Sequence, residues 1–306
     1  MYQSITRSTR AGNTLIQVRE ERDIVKPVGG SRRISQSVRW RPSGRLTSAV
    51  ARCVGYRYEG FPAGTHLGLP SRHLTVVLSL GAPTRTSGPY GSAALTALAG
   101  GLHTRPVRIS HDGDLAGIQL DLTPEGARSL FGLPAAELGS AVLSLGDLIG
   151  ARTGELVERL AGASAWPARF AVVEDVLSRG MDRRPGPPPE VGYAWRRLAD
   201  TDGAVRIGDL AREVGWSRRH LSERFAAEYG LRPKEAARVM RFERSKRLLK
   251  EPGRPPLASV AAVCGYYDQA HLAREWNDLA GCPPSAWLAG EELPFVQDGE
   301  DAAGRR

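Results

Sequence analysis

Residues 207–236, IGDLAREVGWSRRHLSERFAAEYGLRPKEA, and residues 257–287, LASVAAVCGYYDQAHLAREWNDLAGCPPSAW, are two versions of one pattern. They align at an offset of 50 up to a shared glycine and at 51 after it, because the second turn is one residue longer. Ala211 matches Ala261, Gly215 matches Gly265, and His220-Leu221 matches His271-Leu272. Gly230 matches Gly281, Pro233 matches Pro284, and Phe225 stands opposite Trp276. In the first copy Ile207, Leu210, Ala211 and Val214 share one face of a short helix. Gly215 supplies a left-handed turn, Trp216 plugs the angle, and Ser217 caps the next helix. Leu221 and Phe225, four residues apart, bury that helix on the first. In the second copy Val260, Ala261 and Cys264 do the first job, Tyr266 plugs, Asp268 caps, and Leu272 with Trp276 close the core. This is the layout of a helix-turn-helix, which presents its second helix to a DNA major groove.

Between the copies, residues 233–250 read as one helix, with Pro233 in its first turn and Val239, Phe242 and Leu249 on its buried side. Its other face carries Arg238, Arg241, Arg244, Lys246, Arg247 and Lys250. Two readings stand for that face, a solvated surface or a phosphate track. A helix of this length spans about 25 Å at 1.5 Å per residue. With the bodies of the two copies, that sets the recognition helices near one DNA turn apart, about 34 Å.

The 306 residues leave room for about two domains. The composition is that of an ordinary globular chain, 41% apolar and 25% charged, with a mean hydropathy of −0.30. No window holds eighteen uninterrupted apolar residues, so no membrane span is expected. The opening MYQSITRSTRAGN lacks the apolar core of a signal peptide. Three cysteines, Cys53, Cys264 and Cys282, form neither a disulfide framework nor a C-x-x-C pair. A reducing cytoplasm is the expected setting, with nucleoid association when bound, and no zinc module is expected.

The net charge is +9 and the pI near 9.9, a balance that favours polyanionic partners. Residues 1–45 hold ten basic and three acidic side chains, and residues 191–290 hold seventeen and twelve. Residues 46–190 balance at thirteen each, and the tail 291–306 is acidic, two against five. Residues 1–36 lack sustained periodicity and read as a flexible basic arm. Residues 37–182 read as a small antiparallel barrel or sandwich followed by helices, with strands expected at 48–58, 73–80, 105–110 and 115–122. Thr123-Pro124-Glu125 opens a helix with a cap, a first-turn proline and an acid at the positive end. Apolar stripes mark two more helices, near 151–162 and 167–179. That pair packs on the barrel or against a second subunit. Four prolines within 185–189 make residues 183–190 a semi-stiff linker. Residues 191–290 are the DNA-binding domain and residues 291–306 an acidic flexible tail. The fold class expected is α+β, a sheet domain followed by an all-α one.

The stretches GWSRRHLSERF (215–225), RPKEAARVMRFERSKRLL (232–249), GYYDQAHLAREW (265–276) and GCPPSAW (281–287) resemble the DNA-binding domain of the AraC/XylS family of bacterial transcription regulators. The resemblance covers about a third of the chain and runs through both copies. It implies a cupin-like β-barrel in the preceding half, with helices that mediate dimerisation. That part rests on the order of domains and not on motifs.

Exposed side chains in the first two turns of a recognition helix read bases. Removing buried positions leaves Arg218, Arg219, Ser222 and Glu223 in the first copy and Gln269, Ala270, His271 and Arg274 in the second. The resemblance places Arg219, Ser222 and Glu223 at base-contacting positions. Arg219 suits guanine, Glu223 cytosine, Gln269 adenine, and Ala270 a thymine methyl; Arg274 suits guanine or phosphate. Arg241, Lys246 and His220 are candidates for phosphate contact. Within the sheet domain, Trp40, Tyr56, Tyr58, Phe61, His66 and His73 are candidates for an effector pocket, with a plain hydrophobic core as the alternative.

No nucleophile elbow, phosphate loop or dinucleotide fingerprint stands out, so no enzyme is expected. His66 and His73 lie seven apart, without the tight His-x-His cluster of a metal-binding cupin, so neither metal nor cofactor is expected. The cysteines also lack the arrangement of repair methyltransferases that carry a similar DNA-binding unit. The expected partners are double-stranded DNA, a small-molecule effector, a second copy of the chain and RNA polymerase. Two functional classes follow: a regulator modulated by an effector, and a constitutive or architectural DNA binder with a ligand-free first half.

Overall fold

The computed structural model describes residues 2–11, 14–23, 33–181 and 186–290. The first strands are β1 Tyr2–Ala11, β2 Thr14–Asp23, β3 Ile34–Trp40, β4 Val50–Glu59, β5 Gly64–Gly68 and β6 Leu74–Ser79. They are followed by β7 Thr84–Gly88, β8 Gly91–Leu95, β9 Ala97–Gly100, β10 Val107–His111 and β11 Leu115–Leu122. Next come α1 Pro124–Phe131, α2 Ala135–Leu138, β12 Val142–Ser144, α3 Leu145–Ile149, α4 Arg152–Gly162 and α5 Trp166–Arg179. The remaining helices are α6 Pro189–Asp200, α7 Ile207–Glu213, α8 Arg218–Tyr229, α9 Pro233–Lys250, α10 Leu257–Val263, α11 Gln269–Ala280 and α12 Pro284–Gly290. The α+β order expected from sequence is the order found. None of the helices among the described residues is long and apolar enough to cross a membrane.

Two compact units divide the chain. One holds the strands and α1 to α5. The other holds α6 to α12 together with two short segments from earlier in the sequence, Leu67–Arg72 and Leu102–Pro106. The division falls at Gly186/Pro187, and α6 opens with Pro189 at its first position, where a missing N–H costs nothing. Residue 182 of the expected sheet domain, residues 183–185 of the expected linker and the expected acidic tail lie outside the described residues.

In the sheet unit, β11 is flanked on both sides, by β4 and by β6, and its sequence LAGIQLDL is buried from Gly117 onward. Ile118, Leu120 and Leu122 alternate on one face and are fully buried. Gln119 and Asp121 are also buried, and Asp121 stands directly opposite Arg52 on β4. Arg52 Nε donates to Asp121 Oδ2 at 2.8 Å and Gln119 Nε2 donates to Oδ1 at 2.9 Å. Burial alone would push this carboxyl up; the charges of Arg52 and His73 and the two donors hold it below the usual aspartate range.

The larger sheet runs β1-β2-β3-β4-β11-β6-β9-β12 and the smaller β5-β10-β7-β8. They are two antiparallel sheets and not one closed barrel. Residues 1–36, expected as a flexible arm, instead supply β1 and β2, an antiparallel pair registered from Tyr2↔Asp23 to Ala11↔Thr14. β2 continues the ladder onto β3. β-Branched residues (Ile5, Thr6, Thr9, Ile16, Val18) recur through both runs, a preference outweighed in the sequence reading by their Arg and Ser content. The part of that arm at 24–32 lies outside the described residues.

Thr123 caps α1, its Oγ1 accepting the Gly126 N–H at 2.9 Å. α5 covers the sheet through Phe170, whose ring stacks on Trp40 at 5.3 Å and lies 6.0 Å from Trp166. Trp40 is therefore core. Gly55 on β4 makes room for the Trp166 ring: a Cβ there would meet Trp166 Cζ3 at 2.4 Å.

In the helical unit, Val191, Ala194, Trp195 and Leu198 bury α6. The Trp195 ring lies 5.8 Å from Phe225 and 4.3 Å from Tyr229, both on α8. The segment 67–72 is built into this unit. Leu69, only 3% exposed, sits in the cluster of Val239, Phe242, Leu272, Trp276 and Trp287. Arg72 donates to Glu243 Oε2 at 2.7 Å, to Asp202 Oδ1 at 2.8 Å and to the Ala199 carbonyl at 3.1 Å; Ser71 Oγ donates to Glu243 Oε1 at 2.9 Å. Asp202, at φ +48°, also accepts from Arg247. Burial would raise its carboxyl, but Arg72 and Arg247 hold it below the ordinary value.

Two outcomes are expected. Gly55→Ala drives a methyl into a ring already fixed against Phe170 and lowers stability by about 1–3 kcal/mol in urea melts. Asp202 contributes stability that is complete above its ordinary value of 3.8 and is lost as pH falls through its depressed folded value. The deficit of Asp202→Asn is therefore largest at neutral pH and shrinks below pH 4, read by tryptophan fluorescence in urea.

Candidate nucleic-acid interface

The two copies fold alike because each boundary is set by local chemistry. Gly215 at φ +73° and Gly265 at φ +75° take the left-handed turn that a Cβ disfavours. Ser217 Oγ accepts the His220 N–H at 3.1 Å, and Asp268 Oδ1 accepts the His271 N–H at 2.6 Å; these are the two expected caps. Each recognition helix ends on a left-handed glycine, Gly230 or Gly281. Leu221, Phe225, Leu272 and Trp276 are fully buried. Tyr266 is buried as a plug, whereas Trp216 is half-buried, edge-on to His220 at 4.6 Å.

α9 joins the copies and spans about 27 Å over its eighteen residues. Trp276 Nε1 donates to Ser245 Oγ at 2.9 Å, and Ser245 Oγ donates to the Phe242 carbonyl at 2.7 Å. Both polar groups of this pair are thereby satisfied inside an apolar core. Arg238 reaches α11, donating from Nε to Glu275 at 2.8 Å and from Nη2 to Asp278 at 3.1 Å.

These bonds correct the reading of the α9 basic face. Lys246 is 9% exposed and packed inside, because it falls on the same side as Phe242 and Leu249. Arg241 Nη1 donates to the Gly203 carbonyl at 3.0 Å, Arg247 pairs with Asp202, and Lys250 Nζ lies 4.7 Å over the Trp287 ring. Lys246 is thus inside the fold and Arg241 is tied to a backbone carbonyl, whereas Arg247 and Lys250 remain exposed beside their partners. His220, the third phosphate candidate, is exposed at the start of α8.

The remaining positions differ in their exposure to solvent. On α8, Arg218, Arg219 and Glu223 are exposed and Ser222 is half-buried. The Arg219 side chain is 89% exposed and pairs with Glu223 at 2.8 Å, one helical turn on. On α11, Gln269, Ala270 and Arg274 are exposed. His271 is a different case. Its Nδ1 accepts the Tyr267 N–H at 3.2 Å, its ring stands edge-on to Tyr266 at 5.5 Å, and its Nε2 is 4.0 Å from Glu275. Half-buried and tied on three sides, it braces the turn.

Three exposed residues escaped the sequence reading: Arg224 on α8, Asn277 on α11, and Tyr267, 93% exposed in the turn before α11. Tyr267 is the extra residue that changes the offset between the copies from 50 to 51, a signal present in the alignment.

In the sheet unit, Tyr56 and Tyr58 do share a cavity, of about 190 Å³, with Ser79, Thr84, Ser110 and His111 on its walls. The two rings stack at 5.7 Å. Burial pushes the Tyr56 phenol up to about 12, so it remains a donor. His111 is held below its ordinary value by burial despite the Asp112 charge, and its buried Nδ1 has no hydrogen-bond partner among the described residues. Trp40, His66 and His73 are not on these walls, and Phe61 packs edge-on to Tyr58 at 6.0 Å.

The family model described as a helix-turn-helix domain matches residues 210–290. Residues 210–290 therefore form a helix-turn-helix domain, of the kind that the AraC/XylS resemblance of the sequence implies. Over 68 residues the chain is 32% identical to the uncharacterized HTH-type transcriptional regulator YbfI of Bacillus subtilis, covering 22% of this chain and 24% of that one. Over 121 residues it is 28% identical to the HTH-type transcriptional regulator Rv1931c of Mycobacterium tuberculosis, covering 40% and 43%. The chain thus spans less than half the length of these curated relatives. Among solved structures, ToxT from Vibrio cholerae aligns over 78% of this chain and 97% of its own, at 13% identity and a TM-score of 0.45.

Proposed function

We propose that this chain is a sequence-specific DNA-binding transcription regulator whose α8 and α11 enter successive major grooves of one duplex, and whose sheet unit binds a compact polar effector. The observation that carries the first part is the pair of capped recognition helices braced by one bridging helix. Their apolar sides are buried, while α8 leaves Arg218, Arg219 and Arg224 outward and α11 leaves Gln269, Arg274 and Asn277 outward. In this reading Arg219, oriented by Glu223, and Arg218 address the first groove. Gln269, Ala270 and Arg274 address the second. Arg224 and His220 lie at the margins as phosphate partners. A second copy of the chain would pair two such sites on an operator, and RNA polymerase is the machinery that the bound regulator recruits or blocks.

The effector reading is favoured over a ligand-free sheet domain by the cavity at Tyr56 and Tyr58. It combines stacked rings, a phenol donor, the hydroxyl-bearing Ser79, Thr84 and Ser110, and a buried His111 nitrogen with no hydrogen-bond partner among the described residues. Its volume is below the roughly 300–1,000 Å³ of drug-sized pockets, which suits a small, hydrogen-bonding molecule. An effector shifts DNA binding only by favouring one of two conformations of the chain.

Selection of bound duplexes from a random pool with the full chain yields an operator. On that operator, Arg219→Ala and Arg274→Ala each weaken binding by about 1–3 kcal/mol and relax the base preference at one position. Unchanged affinity for both variants rejects the assignment. For the effector, a metabolite that raises the melting temperature of the wild type is expected to lose its effect in Tyr56→Phe. A broad screen without any stabiliser favours the ligand-free reading.

A further inference from the structure

Among the described residues of the helical unit, Tyr267 is the one large aromatic side chain with nearly its whole surface in solvent, 93% exposed, against 41% for Tyr193. A single exposed aromatic residue is ordinary on a protein surface. What sets this one apart is its mount. Its neighbours on both sides are fixed: Tyr266 is buried, and Asp268 caps α11 by accepting the His271 N–H at 2.6 Å. Its own N–H donates to His271 Nδ1 at 3.2 Å. His271 is in turn held against the Tyr266 ring and close to Glu275, the acceptor of Arg238 from α9. The backbone at Tyr267 is therefore braced from the bridging helix outward. The side chain itself makes no hydrogen bond or ring contact recorded among the described residues.

The first copy has no counterpart. There Trp216 is followed directly by the cap Ser217, so the second copy spends one additional residue to put a phenol beside its recognition helix. A tyrosine fixed at its backbone loses only two side-chain torsions on binding, and it offers both an apolar ring and a hydroxyl donor. It stands one residue ahead of the cap, outside the first turn where Gln269 and Ala270 face a groove floor. That position suits the wall of the groove.

Resting on the DNA-binding reading above, we propose that Tyr267 is a backbone-contacting residue of the second half-site. Its hydroxyl donates to a phosphate oxygen bordering the groove entered by α11, and its ring covers the adjoining deoxyribose. Such a contact adds affinity on any sequence and no base preference.

The test uses the full chain, a fluorescently labelled duplex carrying the selected operator, and an unrelated duplex of equal length, read by anisotropy. Tyr267→Ala is expected to raise Kd about tenfold on both duplexes, the size of one hydrogen bond to a charged acceptor. Tyr267→Phe loses the larger part of that tenfold, because the hydroxyl carries the bond. Melting temperatures of both variants match the wild type, since the side chain supports nothing in the fold. Wild-type affinity in Tyr267→Ala, alongside a weakened Arg274→Ala, overturns the proposal and leaves the DNA-binding reading intact. Loss confined to the operator, with a relaxed preference at one base pair, also overturns it, in favour of a base contact. A wild-type chain that binds neither duplex removes the functional reading itself, and this contact with it.

Discussion

The helical unit depends on one constraint: α9 must be buried by both copies at once. Phe242 and Ser245 on this helix meet Trp276 from the second copy, and the indole N–H is satisfied by a serine whose own proton goes to a backbone carbonyl. A helix buried on several sides has few positions left for free charge. That is why its many arginines are engaged with Glu275, Asp278, Gly203 and Asp202. An unpaired cation there would pay desolvation without return. The arginines act as outriggers that fix the copies to the bridge. The exposed arginines of the two second helices are Arg218, Arg219 and Arg224 on α8 and Arg274 on α11.

The parts that were legible in the sequence are the parts decided locally. Ser217, Pro233 and Asp268 each mark a helix start within a residue, because capping chemistry acts over three or four positions. The spacing of Leu221 to Phe225 and Leu272 to Trp276 identifies the buried sides for the same reason. The α9 basic face stayed open between two readings, and the burial of Lys246 was not visible, because helical periodicity tells which residues share a side, not what occupies the space beyond it. His271 was open between a DNA contact and a structural role for a related reason. It lies beside exposed positions, and only the fold reveals that a backbone N–H four residues earlier needs its ring nitrogen. Tyr56 and Tyr58 were readable as pocket residues, whereas Trp40 was not separable from them until Phe170 arrived from α5, 130 residues on in sequence.

Segment 67–72 was least legible of all. Nothing in GLPSR, residues 68–72, signals membership in a helical unit that begins more than a hundred residues later. Its role comes from complementarity: Leu69 fills apolar space beside Phe242 and Trp276, while Arg72 stands between two carboxylates. Asp202 and Glu243 come from the α6–α7 turn and from α9. Half-buried carboxylates need a counter-charge, and the chain adds one from outside the contiguous domain to the Arg247 that Asp202 already has. A fragment beginning at α6 would carry both acids and lack Arg72. The helical unit is therefore not equivalent to its contiguous sequence, and the two positions flanking the segment, His66 and His73, lie on the other side of the unit boundary.

The two copies share a scaffold and differ in what they present. The first recognition helix offers arginines, one of them held by a carboxylate a turn away, so that its direction is set before any duplex arrives. Pre-ordering of this kind lowers the entropy lost on binding and penalises a groove without the matching acceptor, since the pair must be separated to no gain. The second helix offers Gln269, Ala270 and a single arginine, so its surface is closer to neutral, and its cap is an aspartate in place of a serine. A carboxylate at that end suits the helix dipole but repels a phosphate wall. A hydroxyl donor braced one residue before it offsets that repulsion at the place where it arises.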